Sequence, residues 1–510
     1  MYKMKDIVLD FQKNNFTNTP KYYFCEYPKS AVGWQEKVYY PRSAQITSNY
    51  SVKTDLDGLK MINKSWDETG VAINDDTKTC PHYTYAETLH LVLEVANANY
   101  QLSLTVANPE KVDQKVDIII NRINEKTILI PATGQLKLKL EIALSQTSFD
   151  LSLITHNRPD NAKTARVAAI YLKYLKLERQ ALKPPSTKIG IYIASDSTAQ
   201  TYSLTEYPQS GWGEELYHQL KGKTVKIRRS SFYPQATIYE WENIFIDNRS
   251  IGARSSKSFI LEARLEAILK DISPGNYLLI QFGDNDATMY RPNRYVEPKK
   301  FTKYLEQFID SALVRKAIPI LVSPPAQFKY NSRIKRFSVC FNDYRKVMLQ
   351  LSHQKNILLI DLGKESTELL NTLGWDAAHM LYLQTSKADY PNLSENKHDI
   401  THFCSFGAFT LAKIIAQHLS NVIGEKYIEL KNFNQDFRPV IDQRIGMIHL
   451  TWPKIKGAEF YVIKEYGQVK HYLAVTYKTN IYVKYNKQKQ LIITPYCSNK
   501  PMAKELIIEI

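Results

Sequence analysis

"IGIYIASDSTAQTYSLTEYPQSGWG" occupies Ile189 to Gly213. A strand-like apolar run, Ile189 to Ala194, leads directly into Ser195, Asp196, Ser197 and Thr198, all small and polar. A serine at the end of a parallel strand, just before a helix, is where nucleophilic hydrolases place the reactive hydroxyl. It is equally where an ordinary helix places its N-cap, because a hydroxyl there accepts from an orphan backbone N–H. The stretch alone leaves both roles open, and the rest of the chain has to separate them.

Downstream of Lys188, apolar runs alternate with helical patterns. "YLLIQFG", "IPILVSPP" and "NILLIDL" are continuous apolar runs, as expected of strands buried on both faces. Between them Phe301, Tyr304, Leu305, Phe308 and Ile309 fall on one helical stripe. Leu261, Leu265, Ile268 and Leu269 make a second, and Tyr344, Val347, Met348 and Leu351 a third. This alternation predicts a doubly wound α/β/α domain on a parallel sheet over residues 186–425. Ligands in such sheets bind outside the carboxyl ends of the strands, where Asp196, Ser197, Gly283, Asn285 and Ser323 fall.

Upstream the period is two. Tyr100, Leu102, Leu104 and Val106 alternate with polar or small residues, as do Leu136, Leu138, Leu140, Ile142 and Leu144. "IIINRINEKTILI" reads as a hairpin turning around Asn124 and Glu125. Residues 1–185 are therefore expected to form a β-sandwich, closed off by the proline-rich joint "LKPPST" (Leu182 to Thr187). After Lys426 helical periodicity stops. In "MIHLTWPKIKGAEFYVIKEYG" a strand with Trp452 is expected to pair with one bearing Tyr461. This stretch resembles a fibronectin type III module, which implies a second β-sandwich over 426–510.

The bulk numbers exclude several classes. A chain of 510 residues is too long for one core and implies about two to four domains. No stretch approaches the roughly 18 uninterrupted apolar residues of a membrane helix, so no membrane partner is expected. The N-terminus lacks an apolar signal region, and the chain opens on Met1, so a cytoplasmic protein is expected; a leader removed from this sequence would make it secreted. Five cysteines are scattered with no CxxC pair, which gives neither a disulfide framework nor a zinc ribbon. The formal net charge of +16 biases the protein toward anionic partners, with "KIRRSSF" (Lys226 to Phe232) as a short basic cluster. No zinc-finger, RNP or helix-turn-helix pattern accompanies it, so no nucleic-acid partner is expected. The sequence does not indicate an oligomeric state.

Four separated stretches share a chemistry. They are "ASDST", "NRSIGARSSKSF" (Asn248 to Phe259), "QFGDND" (Gln281 to Asp286) and "HDITHF" (His398 to Phe403). Acyl transfer needs a nucleophile, a base, a group that orients the base, and donors for the oxyanion. Ser197 fits the first role, His402 the second, and Asp399, three residues before His402, the third. The amides of Ser197 and of the Gly252–Ala253 turn, with the Asn285 side chain, supply donors. Each piece also has an ordinary role: Ser197 as an N-cap, Asp399 and His402 as a capping pair, Asn285 as a turn residue. All four in order, at strand ends or helix starts of one domain, favour the site.

The same stretches resemble the SGNH hydrolases (GDSL esterases), and within them the rhamnogalacturonan acetylesterase group of carbohydrate esterases. The resemblance covers residues 188–425. "DSTAQTY" with "PQSGWGEEL" is similar to the first block and its sequel, "IGARSSKSF" to the second, "QFGDND" to the third, and "DITHFCSFGA" to the last. It implies Ser197 as nucleophile, Asp399 and His402 as its triad partners, and Asn285 and the Ala253 amide as oxyanion donors. It also implies a galactose-binding-like module for residues 1–185, where Tyr22, Tyr23, Trp34, Tyr39 and Tyr40 either stack on sugars or fill a core. Three positions depart from the family pattern. Ser195 stands where the family has glycine, Ala253 replaces the second glycine of Gly-Gly-Arg, and Asp284 replaces the histidine of Gly-His-Asn-Asp. Ala253 is strained if its turn needs a positive φ. Asp284 is expected to be turned away or paired, with Arg254 as the candidate partner, and both are candidate substrate contacts.

The expectation is a serine esterase that removes O-acetyl groups from an acetylated, acidic oligo- or polysaccharide such as pectin-derived rhamnogalacturonan, with no metal or organic cofactor. Deacetylation of xylan, an exopolysaccharide or another acetylated sugar is the alternative within hydrolases. A non-catalytic carbohydrate-binding protein on the same scaffold is the alternative outside them.

Overall fold

The computed structural model describes residues 7–10, 15–17, 22–24, 59–60, 88–108, 111–121, 123–155, 171–203, 206, 208–221, 225–230, 236–385 and 395–430, together with the strands and a few neighbouring residues between 447 and 508. Trp34, Tyr39 and Tyr40 lie outside these residues, as do the side chains of Tyr22 and Tyr23. No helix among the described residues is long and apolar enough to cross a membrane.

The N-terminal strands form two antiparallel sheets. In one, Asn99–Ala107 lies between Gln135–Ala143 and Tyr171–Arg179. In the other, Ser148–Thr155 lies between Thr88–Glu94 and Gln114–Ile120. Leu102 and Leu104 of the first sheet join Val116, Ile118 and Leu151 of the second in one buried cluster. Leu136, Leu138 and Leu140 pack against it only partly buried. The alternation read from the sequence is the inward face of these strands. The hairpin turn differs. It begins at Asn121, which takes a left-handed φ of 48°, and Ile120 faces Ile123. Asn124 is already on the return strand, opposite Ile119.

The central region contains β1 (Ile189–Ala194), β2 (Lys226–Arg229), β3 (Thr237–Glu240), β4 (Ile244–Asn248), α1 (Ser256–Leu261), α2 (Arg264–Asp271), β5 (Tyr277–Ile280), α3 (Pro298–Val314), β6 (Ile318–Val322), α4 (Asn342–Lys355), β7 (Leu358–Ile360), α5 (Leu362–Ala378), β8 (Lys397–Cys404) and α6 (Ser405–Ile423). Its seven-stranded sheet has the order β2-β3-β4-β1-β5-β6-β7. The sheet is mixed, so the parallel-sheet expectation holds in part. β5 and β6 pair in parallel, whereas β2, β3 and β4 pair antiparallel. Only Trp241, Glu242 and Asn243 separate β3 from β4, too few for the crossover a parallel pair needs. The basic "KIRR" is the edge strand β2, where charge discourages pairing with other chains. β7 is the opposite edge, so Leu358 and Leu359 are only half-buried.

Two helical stripes hold as read, with Phe301, Leu305, Phe308 and Ile309 buried on α3 and Tyr344, Met348 and Leu351 buried on α4. The stripe from Leu261 to Leu269 is broken. Ala263 takes φ 48° between α1 and α2, and Leu261 lies on the exposed side of the break.

By contacts the chain divides into two compact units. One comprises Met1–Tyr192, Arg254–Leu321 and Lys346–Leu358, and the other Ile193–Ala253, Val322–Arg345 and Leu359–Ile510. Within the first, Arg315 at the end of α3 is 3% exposed and reaches the N-terminal sheets. Its guanidinium donates to Asn99 Oδ1 (2.7 and 3.0 Å), Asn97 Oδ1 (2.9 Å) and the Leu144 carbonyl (3.1 Å). Ser145 Oγ bonds the Glu266 carboxyl of α2. Within the second unit, Met447–Thr451 pairs with Asn480–Lys484, while Phe460–Glu465 lies between Tyr472–Thr476 and Leu491–Cys497. The strands leading to Trp452 and Tyr461 are thus in different sheets, not one hairpin. The two buried rings instead meet edge to face, with centroids 5.3 Å apart.

Candidate active site

β1 ends at Ala194, and no α-helix follows it. Residues 197–199 form a turn instead, and the next α-helix among the described residues is Trp212–Glu215. Asp196 Oδ1 accepts from the amide and the hydroxyl of Thr198 at 2.9 and 2.8 Å, which closes the turn locally. Ser197 is therefore not a helix N-cap. Gly211 fits beneath this turn, since a Cβ on it would lie 2.4 Å from the carbonyl carbon of Ala199. Asn248 Nδ2 donates to Ala199 O at 2.8 Å, and the Tyr202 hydroxyl to Ser197 O at 2.7 Å. Burial pushes the Tyr202 phenol far up, so it stays a donor.

Asp399 and His402 lie on β8, and Cys404, not either of them, is the N-cap residue of α6. The i to i+3 spacing brings Asp399 Oδ2 to 2.7 Å from His402 Nδ1. Asp399 Oδ1 accepts from the amides of Thr401 and His402 at 2.7 and 2.9 Å. His402 Nε2 lies 2.9 Å from Ser197 Oγ. Burial alone would raise the Asp399 carboxyl. The hydrogen bond and charge of His402 and the two amides outweigh it and bring it down to about 2. Ser197 is 9% exposed, and the side chains of His402 and Asp399 are 27% and 33% exposed. Such a relay can pass a proton from Oγ to Nε2 while Nδ1 stays donated to a carboxylate.

The second block comes alongside the serine. Ile251 N donates to Ser195 O at 3.1 Å, and Gly252 N to Gln200 Oε1. A Cβ on Gly252 would lie 3.1 Å from Gln200 Oε1 and 3.5 Å from Ser197 Cβ. Ala253 takes φ 68°, so the turn does impose the left-handed conformation on a residue with a Cβ. That costs about 1–2 kcal/mol relative to glycine. The amides of Ser197 and Ala253 make no hydrogen bond among the described residues. Ser195 is fully buried, and among the described residues its hydroxyl has no partner.

The third block belongs to the other compact unit. Gly283 turns the chain with φ 136°, and its amide donates to Asp286 Oδ2 at 3.1 Å. Asp286 is fully buried and accepts from the amide and hydroxyl of Ser256, the latter at 2.5 Å, at the start of α1. Asn285 Oδ1 accepts from Arg294 Nη1 at 3.3 Å. Arginine has only donors, so this contact fixes the amide with its oxygen toward Arg294. The Asn285 NH2 group has no partner among the described residues. Arg254 Nε meets both carboxylate oxygens of Glu262 at 3.1 Å, and the Asp284 carbonyl accepts from Thr288 Oγ1.

Sequence reasoning missed the supporting residues Gln200, Tyr202, Asn248 and Arg294. The first two sit inside "DSTAQTY", where only the serine drew attention. No group of three or more His, Cys, Asp or Glu side chains is gathered to hold a metal among the described residues.

No protein-family model matches the chain. It is 35% identical over 233 residues to the probable rhamnogalacturonan acetylesterase YesY of Bacillus subtilis, covering 46% of this chain and 93% of that protein. It is 29% identical over 236 residues to the rhamnogalacturonan acetylesterase RhgT of the same organism, covering 46% and 90%. Among solved structures, that of the Bacillus subtilis protein YxiM aligns with a TM-score of 0.37 and 22% identity, covering 66% of this chain and 80% of that one. The chain belongs to the SGNH-hydrolase carbohydrate esterases. Within that class it is a carboxylic ester hydrolase, a carbohydrate acetylesterase.

Proposed function

We propose that the enzyme removes acetyl groups from rhamnogalacturonan-type saccharides, with Ser197 as nucleophile, His402 as base and Asp399 as the group that orients it. The observation that carries this reading is the continuous contact from Ser197 Oγ through both nitrogens of His402 to Asp399, at 2.9 and 2.7 Å. Ser197 Oγ attacks the acetyl carbonyl carbon as its proton passes to His402 Nε2. The carbonyl electron pair moves onto oxygen, where the unpartnered amides of Ser197 and Ala253 are the candidate donors. The family pattern adds the Asn285 side chain to them. The intermediate collapses, the bond to the sugar oxygen breaks, and the imidazolium returns its proton to that oxygen. Water, deprotonated by His402, then attacks the acetyl-enzyme and releases acetate and free Ser197.

The rhamnogalacturonan assignment is supported by the names of the relatives YesY and RhgT and by the net charge of +16, which suits a polyuronate. The proposed domains are a galactose-binding-like sandwich over 1–185, the esterase over 186–425 and a fibronectin III-like module over 426–510. Acetate release from acetylated rhamnogalacturonan oligosaccharides, compared with acetylated xylo-oligosaccharides, tests the substrate. Faster turnover of the xylan form contradicts it.

A further inference from the structure

Residues 326–338 form a small hairpin attached to β8. Phe328 N donates to Ile400 O at 2.7 Å, and Gln327 Nε2 to Thr401 Oγ1 at 2.8 Å. Ile400 and Thr401 lie between Asp399 and His402, so the hairpin is anchored on the strand that holds the base. The Tyr382 hydroxyl fixes its start by donating to Ala326 O at 2.7 Å. Tyr330 pairs with Phe337 and Asn331 with Arg336, and Asn331 Oδ1 closes the tip by accepting from the amides of Arg333 and Ile334.

This anchored hairpin is strongly basic. Lys329, Arg333, Lys335 and Arg336 lie between Gln327 and Ser338, with no Asp or Glu among them. All four are exposed, and among the described residues none has an ion-pair partner. Some exposed cations elsewhere pair, as Lys300 does with Glu297 and Lys364 with Glu368, while Lys137, Lys139 and Lys299 stand singly; the hairpin differs in gathering four on one short segment. Lys329, Tyr330 and Arg333 line a shallow, open depression on the hairpin's own surface. Four like charges on a short, tied segment repel one another, and an anionic ligand relieves that repulsion.

We propose that this hairpin is a subsite for the carboxylates of an acidic saccharide, holding a uronate-bearing chain beside Ser197 and His402. The inference rests on the proposed rhamnogalacturonan reading and assigns the residues that read its charge. Guanidinium groups of Arg333 and Arg336 suit planar carboxylates, Lys329 and Lys335 add point charge, and the half-buried Tyr330 offers a ring face to a sugar.

The test compares the full-length parent with a variant combining Arg333→Gln, Lys335→Gln and Arg336→Gln. Three substrates are used: an acetylated rhamnogalacturonan oligosaccharide, the same oligosaccharide with its carboxyls reduced to alcohols, and p-nitrophenyl acetate. The parent should show the lower KM for the acidic form, and added salt should erode that preference. The variant should raise KM for the acidic form about tenfold, the combined worth of a few exposed ion pairs. Its rates on the reduced oligosaccharide and on p-nitrophenyl acetate should not change, which also reports that it is folded. A variant that keeps the parent's KM for the acidic form overturns the subsite and leaves the substrate reading intact. So does a parent that treats both oligosaccharides alike at every salt concentration. A parent that hydrolyses p-nitrophenyl acetate but neither oligosaccharide overturns the substrate reading and the subsite together. If the variant fails to fold, the salt dependence of the parent alone decides. Tighter binding of a single-stranded oligonucleotide than of the acidic saccharide would assign the hairpin to nucleic acid and overturn the proposal.

Discussion

Two polar clusters in this chain use the same kinds of side chain to opposite ends. Around Arg315, buried serines and the buried Glu266 carboxyl sit with two half-buried asparagines, and the guanidinium donates to fixed acceptors. Burial lowers the Arg315 pKa to about 10, and burial also raises the Glu266 carboxyl. Around Ser197 the cluster is smaller and open on one side, with His402 and Asp399 about a third exposed or less. Its donors are not used up, since the Ser197 and Ala253 amides stay free among the described residues. A mostly buried cluster whose cation donates from all three of its nitrogens holds structure together. An accessible one with spare donors is prepared for a ligand whose charge changes during reaction.

Substitutions should separate the two. The largest effect is expected on activity. Ser197→Ala should cut kcat for p-nitrophenyl acetate by several orders of magnitude, since triad members act as a unit. Its thermal stability should move little, because no packing or buried charge is lost. Calorimetry and initial rates on one preparation check both halves. Arg315→Met should do the reverse. It strands the side-chain amide and backbone carbonyl acceptors of a buried cation, so it should cost on the order of 1–3 kcal/mol in denaturant unfolding. The kcat of the molecules that remain folded should be unchanged.

Asn285→Ala sharpens the contrast further. If its NH2 group meets the oxyanion, kcat falls about 10²–10³-fold with little change in KM. A change confined to KM would assign Asn285 to sugar binding. The smallest effect concerns strain. Ala253→Gly removes a Cβ from a residue at φ 68° and should raise stability by up to about 1 kcal/mol, the left-handed penalty less the added chain entropy of glycine. An unchanged or lower unfolding midpoint, at unchanged activity, would show that this turn relaxes without cost.

Local pattern carried much of the structure into the sequence. Period-two alternation at Tyr100–Val106 and the α3 stripe were legible because one buried face dictates each spacing. The Asp399-x-x-His402 spacing was legible because a carboxylate that accepts from the amides two and three residues on folds the irregular part of β8 back on itself and so reaches the imidazole. Chemistry shared between alternatives was not legible. Ser195 to Thr198 suits a helix cap and a side-chain-closed turn equally, and the turn formed. Asn124-Glu125 reads as a turn, but Asn121 took the left-handed conformation first. Features made by distant residues left no local trace. Arg315 meets Asn99 across 216 positions, and Arg294 reaches Asn285 through a loop without a periodic signal. Charge alone also misled. "KIRRSSF" stood out, yet its first four residues, Lys226–Arg229, are an edge strand with Arg228 near Glu240, whereas the hairpin at 326–338 passed unnoticed.

The central claim is covalent chemistry at one hydroxyl. The direct measurement is peptide mass spectrometry of the enzyme, acid-quenched during turnover of p-nitrophenyl acetate. The account predicts one acetyl group on the peptide containing Ser197, and none in Ser197→Ala treated identically. Acetyl accumulating on a different residue in the parent, or full turnover by Ser197→Ala, would contradict it.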